Sequence, residues 1–284
     1  MTWSNFHSHS EFCDGKHSLD QYAAQALQLG MTSLGFSGHA PLPFPCRWCM
    51  KSEDTELYLS SIRQLKHQYD GDLQLYAGLE VDYVPGHTSP VHFRINKLNL
   101  DYTIGSIHFV DFFDSGEPWE VDGSFSVFKL GLQEIFRGDV KRAVQRYFAL
   151  TREMIDNFTP SIVGHLDKIK IHNQHLRLFS EQDSWYQREI DATLESLSRS
   201  GAILEVNTRG IYTKKSFEAY PGNHILEGAF QREIPITLSS DAHHPKDLIR
   251  LFPEAAKTLK KIGYTSIRTL QDNKWVDQPL GNFY

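Results

Sequence analysis

The sequence predicts a single parallel α/β domain, a barrel or a doubly wound sheet, on three observations. Short strand-like runs alternate with longer amphipathic segments through seven rounds. No proline- or serine-rich linker and no shift of composition divides the 284 residues, so 1–284 reads as one domain, long enough to bury a sizeable core. Each strand-like run also carries a histidine, carboxylate or asparagine at or near its C-terminal end.

The first run, WSNFHSH, opens at Trp3. Ser18 and Gln21 have capping-box spacing and start a helix over 18–29, which Gly30 can stop. Strand 32–39 leads to a helix over 55–69, whose acidic entry SEDTE suits the positive end of a helix dipole. Strand 73–84 precedes a helix over 88–98, and strand 101–110 precedes the longest irregular stretch. That stretch, about 110–138, reads as a long loop insertion of the kind that serves as a lid. The remainder alternates helix 139–157, strand 161–167, helix 181–200, strand 202–208, helix 222–232, strand 235–243 and helix 246–262. Within 139–157, KRAVQR reads as a solvated helix face.

Composition narrows the function. A formal net charge of −6 is the wrong sign for a general nucleic-acid binder, so no nucleic-acid partner is expected. No apolar run approaches the ~20 residues that span a bilayer, and no secretory signal pattern opens the sequence. A cytoplasmic protein with no membrane partner is the expectation. Three cysteines make no disulfide framework, and Cys46 and Cys49 of CRWC lack the second ligand pair of a structural zinc site. Neither a Walker A loop nor GxGxxG follows any strand.

The fourteen histidines carry the functional signal. His7 and His9 end the first strand, and His39 the second. Glu80 lies near the end of the third, His108 of the fourth and His165 of the fifth. Asn207 ends the sixth, and Asp241 with His243 the seventh. In a parallel barrel these ends meet at one mouth. His7 and His9, like Asp241 and His243, are two residues apart and share a face of an extended segment. One strand-end histidine is more often a structural residue, but a buried carboxylate such as Glu80 is costly unless paired or metal-bound. Seven strands repeating the pattern point to metal.

In order, HSHSEFCDG, GFSGHAPLPFP, GLEVDY, GSIHF, GHLD and SSDAHHP resemble the motifs of the PHP (polymerase and histidinol phosphatase) superfamily, over residues 7 to about 245. The loop HAPLPFP and the overall length are most similar to its monofunctional histidinol-phosphate phosphatase branch. The resemblance implies a distorted (β/α)7 TIM-like barrel, its active site at the C-terminal strand ends, with a trinuclear metal centre. By position, His7, His9, Glu80 and Asp241 would hold the first metal. Glu80 would bridge to a second on His108 and His165, and Asp14, His39 and His243 would hold the third. His17 lies close enough to compete with Asp14.

The chemistry of the residues agrees. A mixed imidazole and carboxylate set suits three divalent transition ions, zinc, manganese or iron. The expected reaction is hydrolysis of a small-molecule phosphomonoester, with a metal-bridging hydroxide attacking phosphorus in line. Asp241 and His243 are the candidates for protonating the leaving oxygen. Arg209 and Lys214, in the loop after Asn207, are candidates for phosphate, and Trp48 for the substrate's ring. L-histidinol-phosphate phosphatase, a step of histidine biosynthesis, is the leading expectation. A phosphoesterase for nucleotide or sugar phosphates, a PHP-type exonuclease and a non-catalytic metal-binding module are the alternatives.

Overall fold

The computed structural model describes residues 2–173 and 177–281. Among them, seven strands form one parallel sheet in the order β1 (Ser4–Asn5), β2 (Ser33–Phe36), β3 (Gln74–Asp82), β4 (Tyr102–Ser106), β7 (Ile162–Val163), β8 (Ile203–Asn207) and β9 (Ile236–Ser239). The sheet curls into a barrel, and its two edges meet where Ser8 bridges Ala242. There the His9 amide donates to the Ala242 carbonyl (2.8 Å) and the Ala242 amide to the His7 carbonyl (3.1 Å). Of the two predicted architectures, the structure is the barrel. Closing the sheet leaves no long open edge and sets His7 and His9 beside Asp241.

The main core lies between the strands and the helices outside them. Leu19–Gln28 begins with the predicted capping box, and Gly30 takes φ +65°, the left-handed conformation that ends a helix without strain. Phe6, Tyr76, Tyr102, Ile104, Ile162 and Ile203 form a separate buried cluster with Leu270. Period-2 alternation explains the change of character along β4: Tyr102, Ile104, Ser106 and His108 share a face, which passes from apolar to polar toward the mouth.

Three regions differ from the sequence expectation. The helix expected over 88–98 shrinks to Phe93–Asn96. Val84 and Thr88 pair across a tight turn, and Pro90 disfavours helical backbone at Ser89, so helix begins only after His92. The stretch 110–138 is not a loop. It holds a hairpin of β5 (Phe109–Phe112) with β6 (Pro118–Glu120), and a helix, Phe125–Glu134, capped by Ser124. Trp119 makes this possible: fully buried, it packs between Phe128 and Phe136, with centroids 5.5 Å away in each case. It lies so close to Gly131 that any Cβ there would strike the indole. Truncating Trp119 to alanine would cost about 3–5 kcal/mol. The third difference is an unexpected hairpin of β10 (Ser266–Gln271) with β11 (Lys274–Pro279). It brings Trp275 edge-on to Phe6, at 5.1 Å, against the apolar cluster.

Cys46 and Cys49 are joined as a disulfide, although three cysteines predict no disulfide framework; their Cα atoms lie 5.4 Å apart. Cys13 is free.

Candidate metal centre

Every residue predicted as a metal ligand is brought to the barrel mouth. Glu80, near the end of the longest strand, sits at the middle. Its Oε2 lies 3.1 Å from His7 Nε2, 3.5 Å from His9 Nε2 and 3.0 Å from His39 Nδ1. Its Oε1 lies 2.9 Å from His165 Nε2 and 3.7 Å from His108 Nε2, and accepts a hydrogen bond from Ser106 (2.6 Å). The two oxygens therefore address two sets of imidazoles. Burial works against ionisation of Glu80, but His7, His39, His108 and His165 outweigh it and hold the carboxyl well below the usual range.

Asp241 Oδ1 faces His9 Nε2 at 3.2 Å and His7 Nε2 at 3.8 Å. Its backbone adopts φ +49°, a left-handed conformation that aspartate tolerates better than most residues and that concentrates at functional sites. Asp14 closes the outer side, with Oδ2 2.9 Å from His243 Nε2 and Oδ1 3.8 Å from His39 Nε2. The donor atoms of His9, Asp14, His39 and His243 all lie within 4.8 Å of one another, and so do those of His7, His9 and Asp241, and of His39, Glu80 and His108. His17 turns away: its Nε2 meets His244 Nε2 at 3.0 Å.

This donor set fits metal ions. Buried polar atoms normally find hydrogen-bond partners, yet His9 Nε2 and His39 Nδ1 have none, although Glu80 Oε2 is near both. Lone pairs aimed with carboxylate oxygens at shared points are the arrangement a cation satisfies. Burial, reinforced by the neighbouring His243, pushes His9 down to about 4, which keeps its imidazole neutral, as a ligand must be.

A second ring of residues orients the first, and sequence reading missed it. Glu205 Oε1 lies 2.5 Å from His7 Nδ1, and Asp82 Oδ1 lies 3.0 Å from His108 Nδ1. Carboxylates in these positions fix the tautomer of a metal-bound histidine. The signal was in the spacing: Asp82 follows Glu80 by two residues and Glu205 precedes Asn207 by two, on the same inward faces. Asn207 is no ligand here; its amide donates to Glu205 (3.2 Å) and Asp241 (3.3 Å).

Beside the centre is a pocket of about 150 Å³. Arg209, His243 and Asp14 line it, and so does Trp48, whose ring lies 4.4 Å from that of His39 and 5.2 Å from that of His108. Glu120 and Asp122, from the hairpin stretch, also line it, together with Lys168. Lys168 Nζ is 2.9 Å from Asp122 Oδ2 and 3.4 Å from His108 Nε2. Burial disfavours its charge, but Asp122 more than compensates and raises its pKa, so it stays an ammonium. Lys214, expected at the mouth, is exposed and takes φ +61°; Lys215 lines the pocket instead. Arg209 Nη1 donates to the Asp241 carbonyl (2.8 Å) and lies 2.6 Å from His243 Nδ1.

A model of the PHP domain family matches residues 5–209. The histidinol-phosphatase of Bacillus subtilis is 28% identical over 258 residues, covering 85% of this chain and 94% of that one. A protein of Deinococcus radiodurans named "probable histidinol-phosphatase" is 29% identical over 260 residues, covering 90% of this chain and 92% of that one. Among solved structures, the histidinol phosphate phosphatase of Lactococcus lactis, determined with zinc, L-histidinol and phosphate, superposes with a TM-score of 0.71 at 21% identity. The match covers 96% of this chain and 98% of that one. At that identity the likeness speaks for the fold, a distorted TIM-like barrel.

Proposed function

The chain belongs to the PHP domain family, and we propose that it is a metal-dependent phosphomonoesterase that hydrolyses L-histidinol phosphate to L-histidinol and phosphate. The observation that carries the reading is Glu80, whose two oxygens are shared between two imidazole sets, with His39 and His108 of those sets lining a pocket that also holds cationic and acidic side chains.

Three ions are the number these donors suit. His7, His9, Glu80 and Asp241 would hold one; Glu80, His108 and His165 a second; Asp14, His39 and His243 a third. When bound, zinc, manganese or iron supplies positive charge for the phosphate oxygens and lowers the pKa of water toward neutrality.

The chain's own residues do the rest. Arg209 and Lys215, on the pocket wall, offer cationic donors for phosphate, and the planar guanidinium is suited to paired oxygens. Glu120 and Asp122 supply carboxylates for the amine and imidazole of the alcohol, and Trp48 a flat face for its ring. A pocket lined by both cationic and acidic side chains suits a substrate that carries both charges, as histidinol phosphate does. Asp241 serves poorly as a proton donor: burial opposes its ionisation, but His7 and Arg209 outweigh it and keep it a carboxylate. His243 lines the pocket but serves no better: it would hold the third ion through one ring nitrogen, and the other lies 2.6 Å from Arg209 Nη1.

The test is steady-state kinetics of metal-replete protein on histidinol phosphate beside nucleotide, sugar and aryl phosphomonoesters. A clear preference for histidinol phosphate in kcat/KM is expected. Faster turnover of a nucleotide or sugar phosphate would overturn the assignment.

A further inference from the structure

Two lysines follow β7, and their surroundings differ. Lys170 is enclosed by Asp167 (2.8 Å), Glu181 (3.3 Å) and Glu218 (3.0 Å), away from the pocket lining. Three carboxylates make it a structural cation. Lys168 lines the pocket, and among the described residues one carboxylate, Asp122, lies within ion-pair distance of it. Nζ and Oδ2 are 2.9 Å apart, with the two side chains 13% and 14% exposed. The other neighbour of Nζ is His108 Nε2 at 3.4 Å, which offers no negative charge. A ligand entering the pocket meets this pair, whereas the Lys170 cluster stays closed to it.

The pair stands beside the metal centre. Asp122 Oδ2 is 4.0 Å from His108 Nε2, a donor proposed for the second ion. A group of the alcohol that reaches Asp122 must therefore branch off close to the ester oxygen. In L-histidinol phosphate that group is the ammonium, on the second carbon from the ester oxygen; the imidazole lies further along. A phosphate draws Lys168 to itself, and Asp122 is then a largely buried carboxylate without a partner unless the ligand brings a cation. Removing one partner of such a pair is costly, because it leaves an uncompensated charge.

We propose that Asp122 is a specificity residue, which exchanges Lys168 for the ammonium of the substrate while Lys168 turns to the phosphate. This rests on the phosphomonoesterase reading above and names its substrate class: monoesters of amino alcohols with the ammonium close to the ester. Monoesters without that cation open the same pair and leave Asp122 unpaired, so the site discriminates against them.

The experiment compares 2-aminoethyl phosphate, which places its ammonium as histidinol phosphate does, with ethyl phosphate, which lacks it. Metal-replete wild type and variants are assayed on both esters. The ratio of the two kcat/KM values within one sample is read, so the folded fraction cancels. Wild type should favour the amino ester. Asp122→Asn and Asp122→Ala should each cut the ratio about 10- to 100-fold, as expected for a hydrogen bond to a charged group. Lys168→Met, which leaves Asp122 without its lysine, should raise it. A wild type that takes both esters equally, or Asp122 variants that keep the wild-type ratio, overturn the proposal. A lowered ratio in Lys168→Met overturns the exchange. Should wild type not favour histidinol phosphate within the panel above, the assigned substrate falls, and the two simple esters still decide Asp122 by the same criterion.

Discussion

Glu205 Oε1 lies 2.5 Å from His7 Nδ1, so a carboxylate on one barrel strand decides which nitrogen of a histidine beyond another faces the centre. The same side chain accepts from Ser239 through Oε1, and from the His165 amide (2.6 Å) through Oε2. It thus ties together the strand end before Asp241 and the segment carrying His165. Glu205→Gln keeps the shape and removes the charge that fixes the His7 tautomer. Metal affinity or turnover should fall about 10- to 100-fold with the barrel intact. Elemental analysis, circular dichroism and kinetics check this; unchanged metal content together with unchanged turnover would refute it.

Glu80 should be the least replaceable residue at the mouth. Glu80→Gln removes the negative charge that offsets repulsion between the cations it is proposed to join. Bound metal should drop and turnover fall by several orders of magnitude. His17→Ala is the comparison, because His17 pairs with His244 and stands outside the donor groups. A larger loss of metal in His17→Ala than in Glu80→Gln would mean that the centre has been drawn wrongly.

Protein saturated with metal should carry more than one transition ion per chain, and strong chelation should abolish its phosphatase activity. No four- or five-coordinate ion can use nine convergent donors. Undiminished activity in metal-free protein counts against the whole assignment.

Arg209→Ala should do more than weaken phosphate binding. Because Arg209 Nη1 bonds the Asp241 carbonyl and meets His243, its loss should also loosen the segment carrying two ligands. KM should rise and metal occupancy fall together. A raised KM with full metal content would confine Arg209 to the substrate.

Away from the mouth, Lys170 is 5% exposed among Asp167 (2.8 Å), Glu181 (3.3 Å) and Glu218 (3.0 Å). Lys170→Ala strands a buried carboxylate and should cost about 3–5 kcal/mol in denaturant unfolding. The pH dependence has a definite sign. Burial raises the Glu218 pKa, but Lys170 outweighs it and holds the carboxyl below the ordinary glutamate value. The stability this contributes is complete above that value and is lost as pH falls through the folded one. The variant should therefore lose less stability on acidification than wild type; equal acid sensitivity would exclude the pairing as its source.

The sequence by itself determined the alternation of elements, the capped first helix and which histidines and carboxylates gather at the barrel mouth. A period of two or of 3.6 residues is a local property, and strand ends in a parallel barrel converge whatever the loops do. His7, Glu80, His165 and Asp241 could be chosen before any contact was known. Only the tertiary structure decided which carboxylates orient the mouth histidines, that His17 belongs with His244, and that Lys215 rather than Lys214 lines the pocket. Those outcomes depend on which neighbouring strand or loop a side chain meets, across separations such as the 198 residues between His7 and Glu205. The order of the 110–138 stretch is not legible in the sequence for a related reason. Its order comes from Trp119 closing on Phe128, Gly131 and Phe136, a small core whose pieces carry no long periodic pattern of their own.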